Sequence, residues 1–189
     1  IGEEFGSNKL EKNDFVWIID PIDGTTNYIR GIPITCISIG LWDKNGPLIG
    51  AVYNPLLEQI YSAQRGKGAF LNGKKIKVST ISSIESASGA IGWLNPKNGK
   101  RLFNKMVIKC RKMRVLASST WQTCLVASGQ LDFYITNDVH IWDVAAAMTI
   151  LKEAGGKYTD VKGNNVGIKL RSIAASNGEI HSVLMKTVR

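Results

Sequence analysis

Two aspartates three residues apart, Asp20 and Asp23, close the apolar run Trp17-Ile18-Ile19 and are followed at once by Gly24, Thr25, Thr26 and Asn27. Carboxylates are hard oxygen donors of the kind that hold Mg²⁺. Pro21 restricts the backbone between them and removes a donor, so the Ile22 carbonyl can face the same point as a third hard ligand. Gly24 lets the backbone approach an anion closely. The Gly24 and Thr25 amides, opening a short turn or helix, can cradle phosphate oxygens. The Thr25 hydroxyl can hold and polarise a water, and Asn27 or Thr26 can cap the turn. The order places ion ligands, flexible backbone and hydroxyls at the mouth of a buried strand, which are the parts needed to hold Mg²⁺ against a phosphate.

Two more acidic elements lie elsewhere. Gly2-Glu3-Glu4 offers paired carboxylates beside a glycine, and Trp142-Asp143 is expected to open a helix, where the dipole favours an acid. Each alone has an ordinary structural reading, a solvated pair or a first-turn acid; the long composite DPIDGTTN is far more specific. His140 could be read as a catalytic acid or a ligand, but Mg²⁺ prefers oxygen and the acidic set is complete without it.

The elements that must carry these residues follow from pattern. Continuous apolar, β-branched character predicts strands at 15–20, 34–42, 48–54 and 58–64, with turns at 43–47, Gly66-Lys67-Gly68 and Asn72-Gly73. Short connections imply an antiparallel sheet. The second part alternates: strands at 88–93, 113–117, 132–136, 157–161 and 172–176, and helices at 99–110, 120–129, 142–154 and 178–188, the third stopped by Gly155-Gly156. The expectation is a layered α+β or α/β protein, one domain over 1–189, with the site in an antiparallel part (1–80) and an α/β part after it (81–189).

Composition narrows the classes. With 189 residues, 44% hydrophobic and 21% charged, the chain fits a globular domain. No apolar run approaches the roughly 20 residues of a membrane helix. The start shows no signal-peptide pattern and no initiator methionine. Three cysteines without a C-x-x-C argue against a disulfide framework or zinc site and fit a reducing cytoplasm, with all three as small buried hydrophobes. Of the +9 net charge, a cluster stands at Lys97, Lys100, Arg101, Lys105, Lys109, Arg111, Lys112 and Arg114. A solvated face explains it better than nucleic-acid binding, since no aromatic ladder or recognition motif accompanies it.

Taken together, Gly-Glu-Glu at 2–4, DPIDGTTN at 20–27 and HIWDVAAA at 140–147 resemble the signatures of the inositol monophosphatase family, in the wider Mg²⁺-dependent, lithium-sensitive sugar phosphatase superfamily. Gly66-Lys67-Gly68-Ala69-Phe70, the run from Cys124 to Gly129 and Glu153-Ala154-Gly155-Gly156 match as well, so the resemblance spans the chain. It implies the layered α-β-α-β sugar-phosphatase fold and Mg²⁺-dependent hydrolysis of a small phosphate monoester by an activated water, with two or three ions. By position, Glu3 resembles the ligand of the first metal that helps activate water. Asp20 resembles the bridging ligand, the Ile22 carbonyl a ligand of the first metal, and Asp23 and Asp143 ligands of the second. Thr25 resembles the partner of Glu3, the Gly24 and Thr25 amides the phosphate cradle, and Glu4 a supporting acid. Ser118 and Ser119 fall in the loop that contacts the substrate alcohol.

Two departures accompany the resemblance. The family carries an N-terminal section with two long helices before Gly-Glu-Glu. A chain without it is expected to expose apolar surface and to be poorly soluble or weakly active, and the homodimer of the family is expected of a full-length parent. Inositol-specific members place a glutamate seven residues before the tryptophan-linked aspartate; here that position is Thr136, so fructose-1,6-bisphosphate, histidinol phosphate and related esters stay open. A rival reading is a non-catalytic binding protein or fragment using the basic 97–114 face, which gives no reason to keep Glu3, Asp20, Asp23 and Asp143 together.

Overall fold

The computed structural model describes residues 1–4, 15–92 and 96–188. The strand expected through residue 93 ends in the described part at Ile91, and residue 93 and the Lys97 side chain lie outside the described residues.

Six strands pair antiparallel in sequence order: β1 (Val16–Asp23), β2 (Cys36–Asp43), β3 (Gly46–Asn54), β4 (Gln59–Gln64), β5 (Gly68–Leu71) and β6 (Lys74–Ile76). Side chains alternate along β2: Cys36, Ser38, Gly40 and Trp42 turn inward, while Ile37, Ile39 and Leu41 face out. The strands β5 and β6 were not expected; the glycine turns at 66–68 and 72–73 dominate that stretch, and the strands between them are short. A five-residue helix, α1 (Thr25–Ile29), follows β1.

The second sheet runs β10 (Lys157–Thr159), β11 (Ile173–Ser176), β9 (Phe133–Thr136), β7 (Ser88–Ile91), β8 (Lys112–Arg114). Its β7–β8 and β7–β9 pairs are parallel, joined through α2 (Pro96–Val107) and α3 (Ser119–Ala127). The β9–β11 and β11–β10 pairs are antiparallel. Two further helices are α4 (Ala145–Glu153) and α5 (His181–Val188).

The layers run sheet, helices, sheet, helices. Helices α3 and α4 lie between the sheets in one apolar core with Ile18, Val52, Tyr61, Trp121 and Tyr134. Helices α2 and α5 cover the far side of the second sheet, over Ile91, Phe133 and Ile135. Close approach of α4 to the first sheet needs small residues on both sides: a Cβ on Gly40 would stand 3.1 Å from the Ala146 nitrogen, and one on Gly50 would overlap the Ala146 carbonyl. The other face of the first sheet carries Trp17, Ile19, Ile37, Ile39, Ile49, Tyr53 and Ile60, all exposed. Among the described residues no helix is long and apolar enough to cross a membrane.

Candidate active site

The end of β1 solves a geometric problem. Residues 20 and 23 of a regular strand point to opposite faces. Here the register with β2 shifts between Asp20, opposite Ser38, and Asp23, opposite Cys36, so three steps on β1 match two on β2. That bulge returns Asp23 to the inward side, and both carboxylates are buried.

Glu3 reaches the same region by strand extension. The Ile19 amide donates to the Ile1 carbonyl at 3.0 Å, the amino terminus donates to the Trp17 carbonyl at 2.9 Å, and Gly2 bridges Ile19 in parallel. Asp143 comes from the turn after β9. It stands before α4, which starts at Ala145 with Val144 as its cap residue, so the expected first-turn position is corrected. Its Oδ2 accepts the His140 amide at 2.7 Å, and its carbonyl accepts the Thr120 hydroxyl at 2.6 Å.

Asp23 is the most tightly held. Its Oδ2 accepts the Ser118 hydroxyl at 2.6 Å and the Thr120 amide at 2.8 Å, and its carbonyl accepts the Thr35 hydroxyl at 2.9 Å. Ser118 also accepts the Trp121 amide as the N-cap of α3. Ser118, expected to face a substrate alcohol, is thus buried against Asp23, and the Ser119 hydroxyl shares a 2.8 Å hydrogen bond with that of Tyr134. Thr35 and Thr120 were missed; the only cue was a run of hydroxyls, Ser118-Ser119-Thr120, before an apolar helix.

Gly24 has φ +84° and stands where a Cβ would be 2.7 Å from the Ile34 carbonyl, so glycine is required. Asn27 does not cap α1, whose cap residue Gly24 has no side-chain bond. Its amide instead donates to the carbonyls of Ile34 at 2.8 Å and Leu116 at 2.7 Å, tying the loop before β2 to the loop before α3. Thr25 donates to the Ile22 carbonyl at 3.0 Å, and the Ile22 amide donates to Asp20 Oδ1 at 2.9 Å. The His140 ring stacks on Trp142 at 4.5 Å, and its Nδ1 accepts from Arg171, which places its ring proton on Nε2.

The electrostatics identify one site. Burial pushes the Asp20 carboxyl up to about 8, and the charges of Asp23, Glu3 and Asp143 push the same way, against the Ile22 amide. Burial likewise raises Asp143 to about 7; the His140 amide opposes it, and Asp23 and Glu3 add to it. Asp23 is raised by burial against its Ser118 and Thr120 donors. Among the described residues none of these three is in a salt bridge, although the chain has 24 lysines and arginines. Buried carboxylates left unpaired by protein cations suit a diffusible hard cation. Among the described residues no three such side chains stand together as a formed ion-binding cluster. Two open clefts, about 580 and about 670 Å³, are not lined by these carboxylates and hold no comparable buried charge.

Comparison with known proteins identifies the family. The sequence model of the inositol monophosphatase family matches residues 1–189. A fructose-1,6-bisphosphatase/inositol-1-monophosphatase of Thermotoga maritima is 38% identical over 179 residues, covering 95% of this chain and 70% of that protein. Inositol monophosphatase 2 of Solanum lycopersicum is 38% identical over 201 residues, covering all of this chain and 75% of its own length. The solved inositol monophosphatase of Anabaena superposes with a TM-score of 0.95 at 33% identity, over 100% of this chain and 77% of that one.

Proposed function

The chain belongs to the inositol monophosphatase family, and from that premise we propose that it hydrolyses a small sugar or polyol phosphate monoester with Mg²⁺ at the corner formed by Glu3, Asp20, Asp23 and Asp143. The observation that carries this reading is the convergence of the buried Asp20 and Asp23 and the half-buried Asp143, which repel one another and the exposed Glu3 and have no protein counter-charge among the described residues. The Ile22 carbonyl completes the oxygen set, which would hold two or three ions. When bound, Mg²⁺ lowers the pKa of a coordinated water and neutralises phosphoryl and leaving-group oxygens.

The chain's own residues supply position. Glu3 and Thr25 orient the attacking water. The Gly24 and Thr25 amides precede or open α1, where first-turn N–H groups have no intrahelical acceptor, and they take phosphate oxygens. Ser118 and Thr120 fix Asp23, and Thr120 also fixes the backbone of Asp143. The loops carrying Ser118 and Asp143 leave the carboxyl ends of β8 and β9, where ligands bind in parallel sheets. The buried Thr136 stands where inositol-specific relatives carry a glutamate, so the site is not committed to inositol; the Thermotoga maritima relative is named for both a fructose bisphosphate and an inositol monophosphate. Lithium inhibition, a cytoplasmic site of action and a homodimer belong to the same proposal.

Phosphate release from a panel of sugar phosphates, with and without Mg²⁺, tests it. The wild type should turn over only with the ion, and Asp23→Asn should lose most of that turnover. Equal turnover by both would remove Asp23 from the ligand set.

A further inference from the structure

Ser38 is 0% exposed on the inward face of β2, and its hydroxyl finds no hydrogen-bond partner among the described residues. A buried hydroxyl without a partner is costly, and alanine would occupy the same place without that cost. The position is therefore informative. Ser38 lies directly opposite Asp20 in the β1–β2 ladder and opposite Val52 on β3. Facing residues of an antiparallel pair hold their Cβ atoms about 4.5–5.5 Å apart, so rotation of the Ser38 side chain brings its oxygen within reach of the carboxylate. Asp20 Oδ1 accepts the Ile22 amide, and its other oxygen accepts no hydrogen bond among the described residues. The inward neighbour Cys36 already directs its thiol to Asp23. Asp23 has a serine donor from another element and Asp143 a backbone one from the preceding turn, whereas Asp20 has only the amide two residues on.

We propose that Ser38 is the positioning residue of Asp20: its hydroxyl donates to the Asp20 carboxylate in the ion-bound site, doing for Asp20 what Ser118 does for Asp23. The inference rests on the reading of Asp20 as a cation ligand. It predicts a trade between stability and ion binding at one atom, which an idle hydroxyl would not show.

The test is calorimetric titration of the 189-residue chain with Mg²⁺ alone, beside thermal unfolding in a chelator, for wild type, Ser38→Ala and the nearly isosteric, weaker donor Ser38→Cys. The expected result is an ion-free melting temperature for Ser38→Ala equal to or above wild type. Its Mg²⁺ affinity should be about tenfold weaker, with Ser38→Cys between the two. Affinity for Ser38→Ala within about twofold of wild type, whatever its stability, overturns this inference and leaves the ligand set intact. A wild type that binds no Mg²⁺ and matches Asp23→Asn overturns both this inference and the proposed function.

Discussion

Ser118 donates its hydroxyl hydrogen to Asp23 Oδ2 at 2.6 Å, joining positions 95 residues apart. One side chain thereby caps α3, fixes the end of β1 and supplies a donor to a buried carboxylate. Ser118→Ala removes a hydrogen bond to a charged group, about 1.5–3 kcal/mol, and a helix cap, about 1 kcal/mol; the two share an atom and do not simply add. Urea unfolding should show a loss of about 2–3 kcal/mol, and Mg²⁺ titration a weaker affinity, since losing the donor raises the Asp23 carboxyl further. A variant as stable as wild type would mean that the Asp23 contact adds nothing.

The raised carboxyls fix the direction of the pH dependence. Asp20 at about 8 and Asp143 at about 7 hold protons in the folded state that the unfolded chain, with a value near 3.8, releases. Their contribution to ion-free stability is therefore greatest below about pH 4 and falls as pH rises through about 8. With Asp20 and Asp143 as the proposed ion ligands, Mg²⁺ would displace those protons, so its affinity should rise between about pH 6 and about pH 8 with proton release. Titration in buffers of different ionisation enthalpy counts the protons; an affinity flat across that range contradicts the coupling.

Much of this site is legible in the sequence, because DPIDGTTN sets Asp20, Asp23 and the Ile22 carbonyl within eight residues, but the inward face of β2 is not, since the apolar Ile37, Ile39 and Leu41 are turned outward. What is not legible is set by register and distance. Whether Asp20 and Asp23 share a face depends on the bulge against β2, a property of the pairing rather than of either strand. Thr120 and Ser118 reach Asp23 only through tertiary packing. Asn27 has the local chemistry of a cap, yet two distant carbonyls compete for its amide and win.

Gly24 and Gly31 form a matched pair for separating backbone strain from crowding. Both have positive φ, +84° and +68°, but a Cβ on Gly31 would meet nothing within 4 Å, whereas one on Gly24 would lie 2.7 Å from the Ile34 carbonyl and 3.2 Å from the Ser118 Cβ. Gly31→Ala should cost the left-handed penalty alone, about 1 kcal/mol. Gly24→Ala should cost about 3 kcal/mol or more and displace Ser118 from Asp23, lowering Mg²⁺ affinity as well. Equal melting temperatures for the two variants would refute the crowding argument.

The outward face of the first sheet sets the solution behaviour of this chain. Ile19 faces Ile39, Ile37 faces Tyr53, and Tyr53 faces Ile60 across successive strands, so their exposed side chains form one apolar surface extending to Trp17. Monomers seldom leave such a surface uncovered, and the prediction is concentration-dependent self-association at micromolar protein. Ile39→Lys with Tyr53→Lys places two charges at its centre, on the side of β2 and β3 away from Asp20. Sedimentation velocity should show this double variant shifted toward monomer, with less binding of an apolar dye. Its Mg²⁺ affinity should stay within about twofold of wild type, because the substituted positions lie on the face of the sheet opposite Asp20 and Asp23, two of the proposed ion ligands. A wild type that sediments as a monomer at every concentration would show that this face does not drive association.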